Sequence, residues 1–118
     1  MASNPVHSAE LRLTVNETAS EAVVQCSGRI TSNSSESLKA AVKPLFSAGK
    51  YIVLDLSNVS YLDSSGLGTI VGLYVSAKRA KSQLKIMHLN ERLKELISLT
   101  RLGEFLTDGR DASEILPP

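Results

Sequence analysis

The chain of 118 residues contains a single cysteine, no tryptophan and only 4% aromatic residues. Because one cysteine cannot form an intramolecular disulfide, we interpret Cys26, which lies in an apolar run, as a buried structural thiol. The two histidines, His7 and His88, share no metal-ligand spacing with this cysteine. We therefore expect neither a metal site nor any other cofactor.

An excess of charge of one sign and long apolar runs are also missing. The 13 lysines and arginines and the 12 aspartates and glutamates give a net charge of +1, and the basic residues are scattered along the chain. This pattern predicts no direct contact with nucleic acid. No apolar run approaches the roughly 20 residues that a membrane-spanning helix needs, and residues 1–8 are too polar for a signal peptide. The sequence thus predicts a cytoplasmic protein without a membrane partner.

The remaining composition is ordinary for one globular domain, with 42% hydrophobic and 21% charged residues. Residues 1–9 are polar, contain Pro5 and show no periodicity, so we interpret them as a flexible leader. Residues 10–118 are then predicted to form a single domain. Its first strands are indicated by an apolar alternation over residues 11–15 and a second apolar run over residues 22–27, which together predict a β-hairpin.

Strand and helix patterns alternate after the hairpin. The segment Asn33-Ser-Ser-Glu36 has the residue types of a helix N-cap with a reciprocal glutamate, and the helix that follows should be restricted by Pro44 and stopped at Gly49. Residues 51–56 are almost continuously apolar, which is typical of a parallel strand covered on both sides. A second helix is predicted from Ser65. Its apolar stripe consists of Leu67, Ile70, Val71, Tyr74 and Ala77.

The last third of the chain predicts a strand over residues 83–89, a helix capped by Asn90, a short strand at residues 105–106 and a stunted final helix over 111–116. Alternation of this kind favours an α/β fold with right-handed crossovers. We expect a mixed β-sheet of about four to five strands with an N-terminal hairpin, packed with about four helices.

The segment Asp63-Ser-Ser-Gly-Leu-Gly68 leads from a strand into the second helix. The first backbone N–H groups of a helix lack partners within the helix, and the helix dipole favours negative charge there, so a phosphate on Ser64 or Ser65 would be tolerated. A simpler alternative is that either serine only caps the helix. Asp63 has two interpretations as well, as the cap of the same helix or as a group that shapes recognition by a kinase.

Together with the strand before it, Tyr51-Ile-Val-Leu-Asp-Leu-Ser-Asn-Val-Ser-Tyr-Leu62, this segment resembles the signature of the STAS domain, and in particular that of bacterial anti-sigma factor antagonists. The resemblance extends from about Leu11 to about Leu106. It implies a mixed sheet with helices packed on it and a small signalling module that is not an enzyme. It also implies that the serine directly after Asp63 is phosphorylated, which makes Ser64 the expected acceptor and Ser65 the less favoured one.

The resemblance further implies the partners. In its unphosphorylated form the protein would bind an anti-sigma factor that is also an ATP-dependent serine kinase, and this binding would release a sigma factor. Phosphorylation would weaken the binding, and a serine phosphatase would reset the protein. The alternative is a constitutive STAS scaffold subunit of a signalling or transport assembly that is not switched at Ser64. The sequence makes no prediction of oligomeric state.

Small residues indicate where a partner could dock. Gly66 and Gly68 each cost about 1 kcal/mol relative to alanine inside a helix, so we expect another backbone to approach them closely. Gly68, Gly72 and Ser76 lie four residues apart and form a smooth strip, which could face a partner or another element of the same domain. The candidate partner-binding residues are Asp63, Ser64, Ser65, Gly66, Gly68, Gly72, Ser76 and Thr31.

Two features depart from the family pattern, and two enzymatic alternatives fail. The loop Gly28-Arg-Ile-Thr31 lacks the acidic turn of many antagonists, which suggests a different partner, and the last helix is cut short by the two final prolines. The glycines from Gly66 to Gly72 miss the spacing of a dinucleotide fingerprint. No Gly-x-Ser-x-Gly elbow is present for a serine hydrolase, and His88 is its only candidate base outside the leader.

Overall fold

The computed structural model describes the backbone of residues 6–7 and 10–98 and the side chains of residues 10–95. Within these residues the sheet has five strands in the order of the sequence. The strands are β1 (Val6–His7), β2 (Leu11–Glu17), β3 (Glu21–Ile30), β4 (Tyr51–Leu62) and β5 (Gln83–Met87). The first three pair antiparallel, whereas β3, β4 and β5 pair parallel. The predicted α/β fold, a mixed sheet opened by a hairpin, is confirmed.

The hairpin of β2 and β3 is anchored at its turn by one buried lysine. The Nζ atom of Lys50 lies 2.8 Å from the carboxylate of Glu17 and 2.7 Å from the carbonyl oxygen of Thr18. Only 8% of the Lys50 side chain is exposed, and a buried ammonium group needs such partners. This contact fixes the hairpin turn against the residue that precedes β4.

The short strand β1 lies inside the segment that the sequence predicts as a flexible leader. Val6 pairs with Leu13 and His7 with Arg12 across the edge of β2. The other leader positions lie outside the described residues, and the division into a leader and a domain stays a prediction.

Three α-helices lie within residues 10–98, fewer than the four predicted. They are α1 (Ser35–Val42), α2 (Ser64–Arg79) and α3 (Glu91–Ser98). The N-cap prediction for α3 is confirmed, because the Oδ1 atom of Asn90 accepts the N–H of Leu93 at 2.9 Å. The strand predicted at residues 105–106 and the helix predicted at 111–116 lie outside the described part of the chain.

The start of α1 differs from the predicted capping box. The N-cap is Ser34, and its side chain makes no capping hydrogen bond. Its hydroxyl instead donates to the carbonyl of Arg29 at 2.8 Å and accepts the N–H of Thr31 at 3.0 Å. Glu36 does not reach back either, since its carboxylate lies 3.5 Å from Lys39. The hydroxyl is used to hold the loop after β3 rather than the helix end.

The end of α1 was predicted partly correctly. Pro44 sits in a 3-10 turn, Lys43–Leu45, that follows the last α-helical residue, as expected from a residue without a backbone N–H. The predicted stop at Gly49 is wrong, because the helical structure has already ended four residues earlier. Gly49 instead adopts a positive φ of 82° in the turn before β4.

Strand β4 is six residues longer than the apolar run that predicted it. It continues to Leu62 and pairs with β3 through two register shifts, so that Ile30 lies opposite Leu62. On its other side it pairs with β5 only as far as Asp55. β5 is shorter than predicted and ends at Met87, because His88 turns the chain with a φ of 64°. The ends of β3 and β4 therefore meet at one edge of the sheet.

The core lies between the sheet and the inner faces of α1 and α2. All five residues of the predicted stripe of α2 are buried in this core or packed against it, and Leu73 joins them. Cys26 is 1% exposed, as expected for a structural thiol. Burial, aided by the nearby charge of Asp55, raises the pKa of Cys26 from 9.0 to about 12.

A thiol with this environment should be chemically inert until the protein unfolds, because the thiolate is the reactive form. We expect iodoacetamide at neutral pH to leave native Cys26 unmodified and to add one carbamidomethyl group after unfolding in guanidinium chloride. Intact-mass spectrometry of the two samples checks this. Complete modification of the native protein would show that the thiol is exposed.

Candidate functional site

The candidate site lies where β3 and β4 end together. The backbone N–H of Asp63 donates to the carbonyl oxygen of Ile30 at 3.4 Å, which joins the loop after β4 to the end of β3. This places the start of α2 beside the loop that leads into α1. Loops at the carboxyl ends of parallel strands are common positions for binding sites in α/β proteins.

Asp63 is the N-cap of α2. Its backbone is extended, with φ −103° and ψ −176°, and its Oδ1 atom accepts the N–H of Gly66 at 2.8 Å. Its carbonyl oxygen accepts the N–H of Leu67 at 2.9 Å, which is the first intrahelical bond. The capping interpretation of Asp63 is confirmed.

Ser64 and Ser65 are the first two residues of α2, and both are exposed. Because Asp63 occupies the capping position, the alternative that either serine serves as the cap is wrong. Within residues 10–95 neither hydroxyl has a hydrogen-bond partner. Both hydroxyls are therefore presented to solvent at the positive end of a helix of 16 residues.

The two glycines of the first turn have different environments. Gly66 is buried, and a Cβ added to it would overlap the carbonyl oxygen of Ile30 and lie 2.8 Å from the carbonyl carbon. The expected close approach of another backbone is therefore confirmed for Gly66. It is wrong for Gly68, because a Cβ there would meet nothing within 4 Å.

Gly68, Gly72 and Ser76 line a groove of about 520 Å³ between α1 and α2. A Cβ added to Gly72 would also meet nothing within 4 Å. The space over the strip is thus not filled by another described element of the domain. This favours the interpretation that the strip faces a partner over the interpretation that it packs within the domain. Val75, on the same side of α2, is 41% exposed.

A chain of hydroxyl groups connects the two helices at the end of this groove. The hydroxyl of Thr69 donates to the hydroxyl of Ser35 at 2.8 Å, and Ser35 donates to the carbonyl of Thr31 at 2.8 Å. These bonds hold the first turn of α1 to the second turn of α2. The groove therefore opens between helices whose relative position is fixed at one end.

Thr31 lies at the same edge of the sheet, but the residue is only 6% exposed. Its hydroxyl donates to the carboxylate of Glu10 and accepts the N–H of Asn33. The structure brings Thr31 near the start of α2 and gives its hydroxyl an internal role. A direct side-chain contact of Thr31 with a partner is therefore not supported by its position.

Sequence reasoning missed two lysines of the groove. Lys39, near the end of α1, and Lys43, in the 3-10 turn that follows, line the wall opposite Gly68 and Gly72. In the sequence they were counted among the basic residues that are scattered along the chain. Their spacing of four residues, which puts side chains on one face of a helix, is the signal that would have paired them.

His88 does not complete a catalytic site with the serines. Its Nδ1 atom lies 3.2 Å from the carboxylate of Asp55. Asp55 is seven residues before the end of β4, and along an extended strand this separates Asp55 from the end of β4 by about 20 Å. Burial raises the pKa of Asp55, but hydrogen bonds from Ser57 and His88 outweigh this effect and leave the pKa lowered. The histidine is thus engaged elsewhere in the sheet.

Within the described residues, no three side chains of His, Cys, Asp or Glu are grouped so that they could hold a metal ion. None of the helices in this part of the chain is long and apolar enough to cross a membrane.

Comparison with known proteins gives one family. The family model described as STAS domain matches residues 11–113. The Anti-sigma-B factor antagonist of Bacillus subtilis (strain 168) is 31% identical over 96 residues, which are 81% of this chain and 88% of that protein.

Solved structures share the fold. The anti-sigma factor antagonist SpoIIAA in its unphosphorylated form aligns with a TM-score of 0.67 at 17% identity, over 87% of this chain and 92% of that chain. The Bacillus cell fate determinant SpoIIAA in the phosphorylated form aligns with a TM-score of 0.61 at 17% identity, over 87% and 96%. At this identity the likeness concerns the fold alone.

The two glycines of the first turn should respond in opposite directions to alanine. Gly66→Ala should destabilise the protein by roughly 1–3 kcal/mol, because the new methyl group meets the backbone of Ile30. Gly68→Ala should be neutral or stabilise it by up to about 1 kcal/mol, because alanine favours the helix and the space is open. Urea unfolding of both variants measures this. Equal losses of stability would contradict the difference in packing.

The cap of α2 should depend on the side-chain oxygen of Asp63. We expect Asp63→Ala to lower the free energy of unfolding by about 1 kcal/mol, whereas Asp63→Asn, which keeps an acceptor for the Gly66 N–H, should lose less. Urea unfolding of both variants against the wild type gives the comparison. An alanine variant as stable as the wild type would show that the cap contributes nothing.

Proposed function

Because the chain belongs to the STAS domain family, we propose that it acts as an anti-sigma factor antagonist, a protein that binds an anti-sigma factor and thereby releases a sigma factor. The Bacillus subtilis relative carries this kind of name and is similar over most of both chains. The activity is binding, without catalysis by this chain. Its place of action is the cytoplasm, and contact with DNA is made by the released sigma factor rather than by this protein.

The observation that carries the proposal is the exposed hydroxyl of Ser64 at the first residue of α2. Since Asp63 caps the helix, this hydroxyl is available to a kinase without any loss of helix capping. A phosphate placed there is stabilised by the helix N-terminus by about 0.3–1 kcal/mol. Phosphorylation of Ser64 is therefore compatible with the folded protein. Ser65, also exposed, is the second candidate acceptor.

The docking surface in this proposal extends from the two serines along the open side of α2. Gly68 and Gly72 expose the helix backbone, and Val75 adds an exposed apolar side chain. Small residues on a helix allow a partner to approach its backbone closely. This surface supports docking of a partner better than it supports packing within the domain.

Phosphorylation acts on this surface through charge. A phosphoserine adds about −1.5 to −2 charges at neutral pH, and an unpaired charge forced into an interface costs several kcal/mol. A loss of that size changes the bound fraction by orders of magnitude. The anti-sigma factor is itself the serine kinase in this scheme, and a serine phosphatase restores binding. SpoIIAA, which shares the fold, has been solved in both unphosphorylated and phosphorylated forms.

The switch is tested with a candidate anti-sigma factor kinase from the same genome. With ATP, peptide mapping should find a single phosphate on Ser64 of the wild type and none on Ser64→Ala. In titration calorimetry without ATP, Ser64→Ala should bind this kinase as well as the wild type does. Ser64→Asp should bind at least about tenfold more weakly, because its carboxylate places charge at the interface.

Ser20→Asp is the matched control, since it adds the same charge at an exposed position in the turn between β2 and β3, at the opposite end of β3 from the site. Under the proposal it should bind like the wild type and should still accept phosphate at Ser64. If the wild type and both Ser64 variants bind equally, the protein is a constitutive scaffold subunit and the switch at Ser64 is excluded.

A further inference from the structure

The groove between α1 and α2 has a charge of its own. Lys39 and Lys43 project from one wall, and none of the described residues that line the groove is acidic. We propose that the groove binds an acidic segment of the partner, whose carboxylates pair with Lys39 and Lys43. This inference rests on the proposed function, because it identifies the chemistry of the part of the anti-sigma factor that docks there.

The two lysines have charge available for a partner. Lys39 is 3.5 Å from Glu36 and its side chain is 39% exposed, whereas the side chain of Glu36 is 89% exposed. Such a surface pair is weak and easily exchanged. Lys43 has no ion pair with any residue in the described part of the chain. An incoming carboxylate therefore meets one free and one weakly held ammonium group.

The opposite wall favours an extended segment. Gly68 and Gly72 leave open space where side chains would stand, so a partner backbone can come close to α2. The hydroxyls of Ser65 and Ser76 lie along the same wall and can donate hydrogen bonds to carboxylates. The volume of about 520 Å³ lies in the range of pockets that enclose small ligands, which corresponds to a few side chains of a partner.

An acidic segment in the groove would also explain how phosphorylation weakens binding. Ser65 lines the groove, and Ser64 is its neighbour at the helix start. A phosphate on Ser64 would stand near the end of an acidic segment in the groove and repel it. Binding by charge also predicts an affinity that falls as salt is added.

The test uses a capped peptide of alternating glutamate and alanine, and its matched glutamine peptide, titrated into the ¹⁵N-labelled full chain. The glutamate peptide should shift the amide signals of Gly68, Gly72 and Ser76 saturably, and the glutamine peptide should bind at least about tenfold more weakly. Inorganic phosphate is titrated in parallel. If phosphate alone produces the same shifts at the same affinity, the groove is a simple anion site and the proposal is overturned.

Two matched double variants test the lysines. Lys39→Gln with Lys43→Gln should weaken binding of the glutamate peptide by roughly tenfold or more. Lys78→Gln with Lys81→Gln removes the same charge from exposed positions near the end of α2 and in the turn after it, neither of which lines the groove, and should leave the affinity within about threefold. Circular dichroism verifies that both remain folded. Equal losses in the two variants, or shifts outside the groove, would overturn the assignment.

Ser64 variants separate this inference from the proposed function. Ser64→Ala should bind the glutamate peptide like the wild type, and Ser64→Asp should bind it more weakly. If the peptide results hold but the kinase ignores Ser64, the groove stands and the switch fails. If the kinase responds to Ser64 but the glutamate peptide does not bind, the switch stands and the acidic occupant is excluded.

Discussion

The geometry of the site depends on one backbone group, the carbonyl of Ile30. It accepts the N–H of Asp63, and it fills the space where a side chain at residue 66 would stand. The parallel register that places Ile30 opposite Leu62 brings these groups together. A glycine at position 66 is therefore required by packing. The first turn of α2 is fixed against the end of β3 before any partner arrives.

Prediction from the sequence succeeded where one local rule decided the outcome. Asp63 was one of three candidate caps of α2, and its side-chain oxygen, three residues before the Gly66 N–H, does accept that group. It failed where tertiary contacts decided. The hydroxyl of Ser34 is bound to the backbone of Arg29 and Thr31, so the capping box of α1 does not form. Helix propensity treats Gly66 and Gly68 alike, and only the position of β3 distinguishes them.

The full length of β4 and the two groove lysines were not predicted, because both predictions followed apolar residues alone. Beyond Asp55, β4 pairs with β3 but not with β5, so polar residues such as Asn58 are accommodated at its exposed positions. The lysines stand on the side of α1 that borders the groove, outside its buried stripe, where an apolar pattern carries no information. The four-residue spacing of the two lysines, on a helix that borders a strip of glycines, is the pattern that would have predicted their position in the groove.

The division of roles in the first turn of α2 explains how a modification there can affect binding without affecting folding. The side chain of Asp63 caps the helix, and the absence of a side chain at Gly66 allows close packing against β3. The hydroxyls of Ser64 and Ser65 therefore make no stabilising contact among the described residues. In a helix start capped by one of these serines, phosphorylation would replace the capping hydroxyl with a charged phosphate group, and stability would change together with affinity. With the aspartate as the cap, the added charge remains at the surface, and its cost arises only when a partner covers it.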